Sequence, residues 1–400
     1  MAAYKKTTFT TVTDNGLSYW LVLAVLGGIT GIGFLAAYYM EHHGHWVTGM
    51  NNQIVWGLPH VFAIFLIVAA SGALNVASVG SVFSKIEYKP LGRLSGLLAM
   101  SLLMGGLGVL VLDLGHPDRL IVAMTYFNLK SIFTWNILLY TGFLGVVAIY
   151  LMTMFINSWN KYSKMGGIAA FSWRFILTTG TGSIFGFLVA RQSYDAAILA
   201  PMFIAASLSF GTAIYMLVLM WICKSTGREL GDEVMTRLKR LNAVLAVATL
   251  FFVIVYHLTN LYATQHHGVE AFILNGSSVY SKLFWIGQVL LGTIIPVALF
   301  WTPSIRSRSS IIVGALLIIL GGFSMIYVVV VGGQAYPMDL ISGMTVSSTF
   351  GDGQIAAYAP SLPELLLGLG GVAFAIMATL FVVKILPFMP QSLADNKAAE

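Results

Sequence analysis

Cysteine and charge are what this sequence has least of. One cysteine, Cys223, occurs among 400 residues. Disulfides, cysteine-ligated zinc, iron–sulfur clusters and covalently attached haem each need two or more cysteines, so we expect none of them in this chain. Charged residues make up 9% of the chain and hydrophobic residues 58%, whereas soluble domains typically carry about 25% charged residues. Such a composition cannot cover a water-exposed surface, so most of the chain must face lipid.

Long apolar runs fill most of the sequence. A helix that crosses a bilayer needs about 20 apolar residues, and backbone in lipid must satisfy its own hydrogen bonds, which favours helices. We therefore predict an all-α polytopic membrane protein with about ten transmembrane helices. Its single transmembrane domain, 17–386, would lie between cytoplasmic tails at 1–16 and 387–400. The predicted spans are 17–40, 54–84, 91–114, 131–156, 172–193, 196–223, 240–264, 282–301, 309–334 and 364–386.

Lysine and arginine set the predicted orientation. With the N-terminus in the cytoplasm, all but four of the 21 basic residues fall on the cytoplasmic side. The exceptions are Arg119, Lys130, Arg191 and Lys282. Membrane proteins carry an excess of basic residues in their cytoplasmic loops. The asymmetry therefore predicts an even number of spans and both termini in the cytoplasm.

In this topology every histidine lies in the outer half of the membrane, together with several acids. Histidine changes charge near neutral pH, and acids and histidines at membrane depth mark ligand sites or proton paths. We therefore expect proton-handling chemistry near the outer leaflet. The histidines are His42, His43, His45, His60, His116, His257, His266 and His267.

Two motifs border the second and third spans. Trp56-Gly-Leu-Pro-His60 places His60 about one turn inside the apolar region, where it can hydrogen-bond a quinone carbonyl or simply cap a helix start. After the third span, Gly-His116-Pro stops the helix, and Asp113 is predicted to pair with Arg119 across the turn. That pair either shapes the rim of a ligand site or is an ordinary ion pair at a helix end.

Two further motifs lie between the later spans. Arg191-Gln-Ser-Tyr194-Asp195 follows the fifth span and offers a donor beside a proton acceptor; the alternative is an interfacial loop with an aromatic anchor. His257 is predicted about two turns deep in the seventh span, as a proton relay or as a packing histidine with satisfied hydrogen bonds. The flanking histidines are expected in solvated loops rather than in a surface metal site: His42, His43, His45, His266 and His267.

The positions of the histidines also limit haem binding. Two stacked haems b need histidine pairs in both leaflets, and the inner leaflet has none. A single haem between His60 and His257 stays geometrically open. No phosphate loop, nucleophile elbow or dinucleotide fingerprint occurs in the right context.

Several motifs resemble one family of membrane subunits. The stretch Leu112-Asp113-Leu-Gly-His-Pro-Asp-Arg119, with Phe127-Asn128 and Ser131, resembles the NrfD/polysulfide-reductase family. Gly332-Gly-Gln-Ala-Tyr336-Pro337 and Tyr358-Ala-Pro-Ser361-Leu-Pro-Glu364 are similar to its ten-helix branch. The resemblance covers nearly the whole chain.

Two histidine motifs, Glu41-His-His-Gly-His45 and Gln265-His-His267, most resemble the DsrP type of this family, which belongs to sulfite-reductase-associated complexes. The resemblance implies two four-helix bundles with extra helices, no haem or iron–sulfur cluster in this chain, and a bacterial or archaeal cytoplasmic membrane. It also implies an exchangeable menaquinone or ubiquinone near the outer face, in dissimilatory sulfur metabolism. The implied partners are a ferredoxin-like iron–sulfur subunit on that face and cytochrome-containing subunits of the same complex.

The resulting hypothesis is a quinone- or quinol-binding membrane subunit of a respiratory redox complex. Proton chemistry is assigned to His60, Tyr194, Asp195 and His257. Quinone binding is assigned to Trp56, His60, Asp113, His116, Arg119 and Arg191.

Two rival hypotheses remain at this stage. A transporter or channel subunit for protons or small solutes should place polar groups at the membrane midplane on paired broken helices, whereas the ionisable groups here lie near one face. A structural anchor without a ligand should yield no quinone on extraction.

Overall fold

The computed structural model describes residues 8–12, 16–302, 307–338, 344 and 353–395, and ten long helices dominate them. Nine of these helices are long and apolar enough to cross a membrane. The other, α5, is more polar because it carries Lys164, Arg174 and several Gly and Thr residues. The predicted all-α polytopic fold is confirmed. The helices are α1 Leu17–His43, α2 Leu58–Ser81, α3 Gly92–Leu112, α4 Ile132–Phe155, α5 Ser163–Gly186, α6 Leu199–Ser225, α7 Asp232–Tyr262, α8 Val279–Trp301, α9 Arg308–Ala335 and α10 Leu362–Ile385.

Shorter elements join and interrupt the long helices. Helix α2 is broken at Leu74, and two strands, β1 (Phe9–Thr10) and β2 (Met389–Pro390), pair antiparallel. Turns of 3-10 helix occur at His45–Val47, Ile86–Leu91, Pro117–Arg119, Asn157–Tyr162 and Thr264–His266. Short α-helices lie at Leu120–Thr125 and His267–Glu270. Segments of π-helix occur at Ala271–Asn275, within α8 at Leu283–Ile294 and within α9 at Val328–Gly332.

The long helices form two groups of four. Helices α2 to α5 pack on one another, as do α6 to α9, and the almost wholly buried α2 packs against α6 between the groups. Helices α1 and α10 pair with each other, and α10 lies against α3 and α2. At the α2–α6 crossing, a Cβ on Gly72 would lie 1.5 Å from the backbone oxygen of Ser207. Only glycine permits this approach, as is usual where membrane helices cross closely.

The two ends of the bundle differ in chemistry. We call the end where α1, α3, α5, α7 and α9 finish the histidine end, because it holds His45, His60, His257 and His266. The opposite end, the basic end, carries the β1–β2 pair and most of the lysines and arginines. Its predicted location in the cytoplasm stays a prediction.

Two predicted helix boundaries were wrong. Helix α5 begins at Ser163 and ends at Gly186, whereas the apolar run predicted 172–193. Helix α7 begins at Asp232, eight residues before the predicted start at 240, because the carboxylate of Asp395 accepts hydrogen bonds from the amides of Asp232 and Glu233. Such capping stabilises helical turns that extend beyond the apolar segment.

Candidate functional site

The histidine end brings one acid and two histidines together. Pro59 stands at the first turn of α2, where its fixed φ suits a helix start, and His60 follows it. Asp113 ends α3 before Gly115, whose φ of +72° reverses the chain. Asp113 Oδ2 lies 2.8 Å from His60 Nδ1, and Asp113 Oδ1 lies 3.6 Å from His45 Nε2. The site therefore draws on the ends of three helices.

The Asp113 carboxylate is fully buried, while 14% of the His60 side chain remains exposed. Burial acts to raise the pKa of Asp113, but contacts with His45 and His60 outweigh it, so the net pKa is lowered. The same contact raises the pKa of His45 above its ordinary 6.5, against the lowering effect of burial. The cluster therefore favours an ionised Asp113, and Asp113 makes His45 bind a proton more readily than a free imidazole does.

Several polar atoms of the cluster have no well-aligned hydrogen bond. The contacts of Asp113 with His45 and His60 are close enough for ion pairing, but they do not meet hydrogen-bond geometry. Buried polar groups nearly always have partners, so such a group of unmet atoms suits an added polar ligand. The atoms are His45 Nε2, His60 Nδ1 and both carboxylate oxygens of Asp113; Glu41 Oε1, in the last turn of α1, is also buried without a hydrogen-bond partner.

Trp56 forms an aromatic wall beside His60. Its ring stacks on the imidazole with centroids 6.3 Å apart and planes tilted by 25°. Phe133 and Phe185 meet the same indole edge-on at 6.2 and 5.9 Å. The arrangement offers a flat aromatic surface next to a titratable nitrogen.

A side-chain amide fixes the backbone of Trp56. Gln334 Oε1 accepts hydrogen bonds from the amides of Val55 and Trp56, both at 3.0 Å, and Gln334 Nε2 donates to the Trp56 carbonyl at 3.0 Å. Arg191 donates to the carbonyls of Gln334 and Gln53, both at 2.8 Å. Arg191 thus ties the loop before α2 to the end of α9.

Tyr194 and Asp195 differ in their surroundings. The hydroxyl of Tyr194 is buried and donates to the Val330 carbonyl at 2.8 Å, and burial raises its pKa well above 10. Asp195 is exposed and has a φ of +30°. The structure therefore places Tyr194 within the packing of α9 and Asp195 at the surface of the same end.

His116 and Arg119 lie on the rim. The His116 side chain is 68% exposed and stands 3.6 Å from the exposed Asp118. The predicted pairing of Asp113 with Arg119 is wrong: the chain reverses at Gly115, Arg119 is exposed, and the carboxylate meets two histidines instead.

A second buried pair lies in the α6–α9 group. His257 Nδ1 is 2.7 Å from Glu270 Oε2, and Asn260 donates to Glu270 Oε1 at 2.9 Å. Glu270 is fully buried. The predicted need of His257 for a partner is thus met by an acid from the short helix that follows α7.

Two of the histidines that were predicted to lie in solvated loops, His45 and His266, have partners within the protein. His45 contacts Asp113, and the buried His266 lies 2.8 Å from the Gln192 carbonyl through Nδ1. Sequence reasoning also missed the roles of Gln334 and Glu270, because their partners are far away in sequence or lie beyond a helix end. The signal in the sequence that could have identified both residues is a polar side chain at or just beyond the end of an apolar run.

A buried carboxylate also anchors the loop between α9 and α10. Glu364 accepts hydrogen bonds from the Gly49 amide at 2.8 Å and from the Tyr358 hydroxyl at 2.7 Å. Burial and the nearby Glu364 carboxylate raise the pKa of Tyr358. The predicted long loop at 334–363 lies partly outside the described residues, but its described portion packs against the segment before α2.

An apolar groove runs along α1, α3 and α10 to the same end. Its volume is about 440 Å³. Gly33, Gly108 and Gly370 line its middle, and it reaches Leu112, the residue before Asp113. Over the described part of the sequence, no three metal-ligating side chains are grouped to hold a metal ion.

Comparison with known proteins gives a consistent pattern. The family model described as polysulphide reductase, NrfD, matches residues 46–337. A protein of Archaeoglobus fulgidus named Hdr-like menaquinol oxidoreductase integral membrane subunit is 26% identical, covering 98% of this chain and 99% of the relative. A selenate reductase subunit of Mesobacillus selenatarsenatis is 24% identical over 92% and 94%. A polysulfide reductase chain of Wolinella succinogenes is 26% identical over 71% and 96%.

Proposed function

Because this chain belongs to the NrfD polysulphide reductase family, we propose that it is the membrane subunit through which a redox complex exchanges electrons with quinone. The headgroup site is the cluster of His45, His60 and Asp113 beside Trp56. One observation carries this proposal: a fully buried carboxylate between two histidines, all with unmet hydrogen-bonding atoms.

His60 is the proposed proton acceptor. Its Nδ1 faces the Asp113 carboxylate at 2.8 Å, so a proton on Nδ1 leaves a lone pair on Nε2. Nε2 then takes a proton from a quinol hydroxyl, and Asp113 stabilises the imidazolium that forms. Oxidation of a quinol releases two protons and two electrons, and the reverse step consumes them. The second proton passes to His45, whose pKa is already raised.

The electrons must leave through another subunit. The chain has one cysteine, so it cannot bind an iron–sulfur cluster through its own thiolates. The named relatives are subunits of oxidoreductases or reductases. The proposed acceptor is a ferredoxin-like iron–sulfur subunit on the histidine end, with cytochrome-containing subunits in the same complex. That end would be extracytoplasmic, in a prokaryotic cytoplasmic membrane, and the metabolism that of sulfur compounds.

The apolar groove is the proposed place for the isoprenoid tail. It is lined by α1, α3 and α10 and ends at Leu112, adjacent to the buried Asp113. An isoprenoid tail attached to a headgroup at His60 needs an apolar path into the bilayer, and this groove begins at the residue before Asp113. Small residues leave room for it.

The other candidate residues take supporting parts in this proposal. Arg191 and Tyr194 position the end of α9 and, through Gln334, the wall formed by Trp56. Asp195 and the rim residues His116 and Arg119 are exposed and suit proton release or contact with a partner. His257, paired with Glu270, is a second proton-handling position.

The proposal is tested with the assembled complex and a soluble quinol. His60→Ala is expected to lower quinol oxidation by about 100-fold or more, the usual effect of losing a general base, while the complex still assembles. His42→Ala, which alters an exposed histidine of the same end that the proposal gives no role, serves as the control. Wild-type turnover in the assembled His60 variant contradicts the proposed site.

A further inference from the structure

A cavity at the basic end lies on the opposite side of the molecule from the quinone site. It has a volume of about 370 Å³ and opens between the segment before α3, the end of α4 and the start of α5. Four basic residues line it, and among the described residues no acid does: Lys89, Arg93, Lys161 and Lys164. The cavity is therefore a concentrated positive site.

The charges of the cavity are not neutralised by its own lining. The three lysines are exposed. The Arg93 guanidinium donates hydrogen bonds to the backbone carbonyls of Pro387, at 2.9 Å, and Met154, at 2.5 Å. Because both acceptors are neutral, the positive charge of Arg93 is not cancelled by them. The acid nearest in sequence, Glu87, lies 3.5 Å from Arg237 instead. The cavity thus favours an anion from outside the protein.

Uncharged donors complete the lining. Ser84, Asn160 and Ser163 contribute hydroxyl or amide groups to the cavity wall. The first residues of α3 and α5, Gly92 and Ser163, also border it. Helix N-termini carry partial positive charge and bind phosphate readily. Lysines, hydroxyls and helix starts together favour an oxyanion such as phosphate.

The surroundings of the cavity are those of a membrane interface. Trp159, Tyr162 and Phe83 are exposed next to the lining residues, and exposed aromatic side chains gather where lipid headgroups begin. Ala77 and Met154 add apolar surface to the lining. A free phosphate ion would use only the polar part, whereas a phospholipid would use both parts.

We propose that this cavity binds the phosphodiester headgroup of an anionic phospholipid. Lys89, Lys161 and Lys164 contact the phosphate and the additional negative charge of the headgroup. The acyl chains follow the apolar lining and the exposed surface of α5 into the bilayer, where Met165 and Ile168 face outward. Basic pockets between transmembrane helices are known to select such lipids. The site does not depend on the quinone proposal.

Native mass spectrometry of the full-length protein in a neutral detergent tests the proposal. Phosphatidylglycerol is titrated against phosphatidylcholine of identical acyl chains. Wild-type protein is expected to retain the anionic lipid, and Lys89→Ala/Lys161→Ala/Lys164→Ala is expected to bind it on the order of 100-fold more weakly. Lys224→Ala removes an exposed lysine of the same end that does not line the cavity, and should bind as the wild type does.

Three results overturn the proposal: equal binding of both lipids, unchanged binding by the triple variant, or displacement of the lipid by millimolar inorganic phosphate. The last would identify a site for a free anion. Circular dichroism confirms folding of each variant. If the triple variant does not fold, Lys161→Ala and Lys164→Ala are measured singly, each with an expected loss of about fivefold.

Discussion

His257 Nδ1 lies 2.7 Å from Glu270 Oε2, and both residues are buried. The first belongs to α7 and the second to a short helix beyond its end. The histidine end thus holds a buried acid–histidine pair in each group of four helices. In the α2–α5 group, His60 Nδ1 and both carboxylate oxygens of Asp113 lack a hydrogen-bond partner. Both carboxylate oxygens of Glu270, in contrast, are hydrogen-bonded, one to His257 and one to Asn260.

Glu270→Ala is expected to destabilise the protein by about 3 kcal/mol. The change leaves His257 and Asn260 buried without their shared partner, and unsatisfied buried polar groups are destabilising. Glu270→Gln keeps an acceptor for Asn260 and a polar contact for His257, so it serves as the matched control. Thermal unfolding followed by tryptophan fluorescence measures both. Equal melting temperatures for the two variants contradict the structural role of this pair.

The Asp113–His45 contact predicts a dependence of stability on pH. The pKa of His45 is raised above 6.5 in the folded protein, chiefly by Asp113. A histidine whose pKa is raised by folding stabilises the folded state fully below about pH 6.5. This stabilisation is lost as the pH rises through the raised pKa. The stability difference between wild type and Asp113→Asn should therefore be larger at about pH 6 than at about pH 9. Thermal unfolding at both values tests this, and a constant difference argues against the contact.

Filling the apolar groove should raise KM for quinols with long tails and leave KM for tail-free quinols unchanged. A side chain at Gly108 enters open space within the groove. Gly108→Phe is therefore expected to raise KM for a long-tailed quinol by about tenfold or more, equivalent to losing about two buried methylenes. A tail-free quinol should be oxidised as by the wild type. Gly31→Phe also enters open space, but outside the groove, and serves as the control.

The two quinols separate this prediction from the headgroup proposal. Loss of activity with both substrates in Gly108→Phe places the defect at the headgroup or the fold. Loss with both in His60→Ala is expected, because the imidazole serves any quinol. An equal rise in KM in the Gly31 variant removes the argument for the groove.

The α2–α6 crossing predicts a severe effect of a single methyl group. In Gly72→Ala the new Cβ would lie 1.5 Å from the Ser207 backbone oxygen. The helices must separate, and overpacking of this kind typically destabilises by about 3 kcal/mol. Gly28→Ala, where the added carbon meets nothing within 4 Å, is the control. The yield of monodisperse protein in detergent and its melting temperature report the difference; a normal yield for Gly72→Ala contradicts the close approach.

Hydrophobic length predicted the number and order of the long helices because lipid imposes that length on every span. It failed at α5 and α7 because both begin among polar residues. Helix α5 starts at Ser163, nine residues before the apolar run, and its first turn contains Lys164. Helix α7 starts where Asp395, far along the sequence, caps it. Such a distant partner leaves no trace in local sequence.

The candidate site was predictable in part for the same reason. His60 and Asp113 stand at helix ends that the topology brings to one side, so their common location followed from the spans. Their mutual contact depends on the turn at Gly115 and on which way Asp113 points, and local sequence equally allowed a pair with Arg119. His45 joined the cluster because Gly44, with a φ of +86°, turns the chain after α1.

The carboxamide of Gln334 has a consequence for how the two helix groups communicate. The Gln334 side chain, which belongs to α9, hydrogen-bonds both the amide and the carbonyl of Trp56. The backbone carbonyl of Gln334 accepts a hydrogen bond from Arg191. If the π-helical turn at Val328–Gly332 shifted or unwound, Gln334 would move with it and would displace the Trp56 indole relative to His60. One glutamine side chain thus gives the two halves of the molecule a mechanical linkage beside the imidazole.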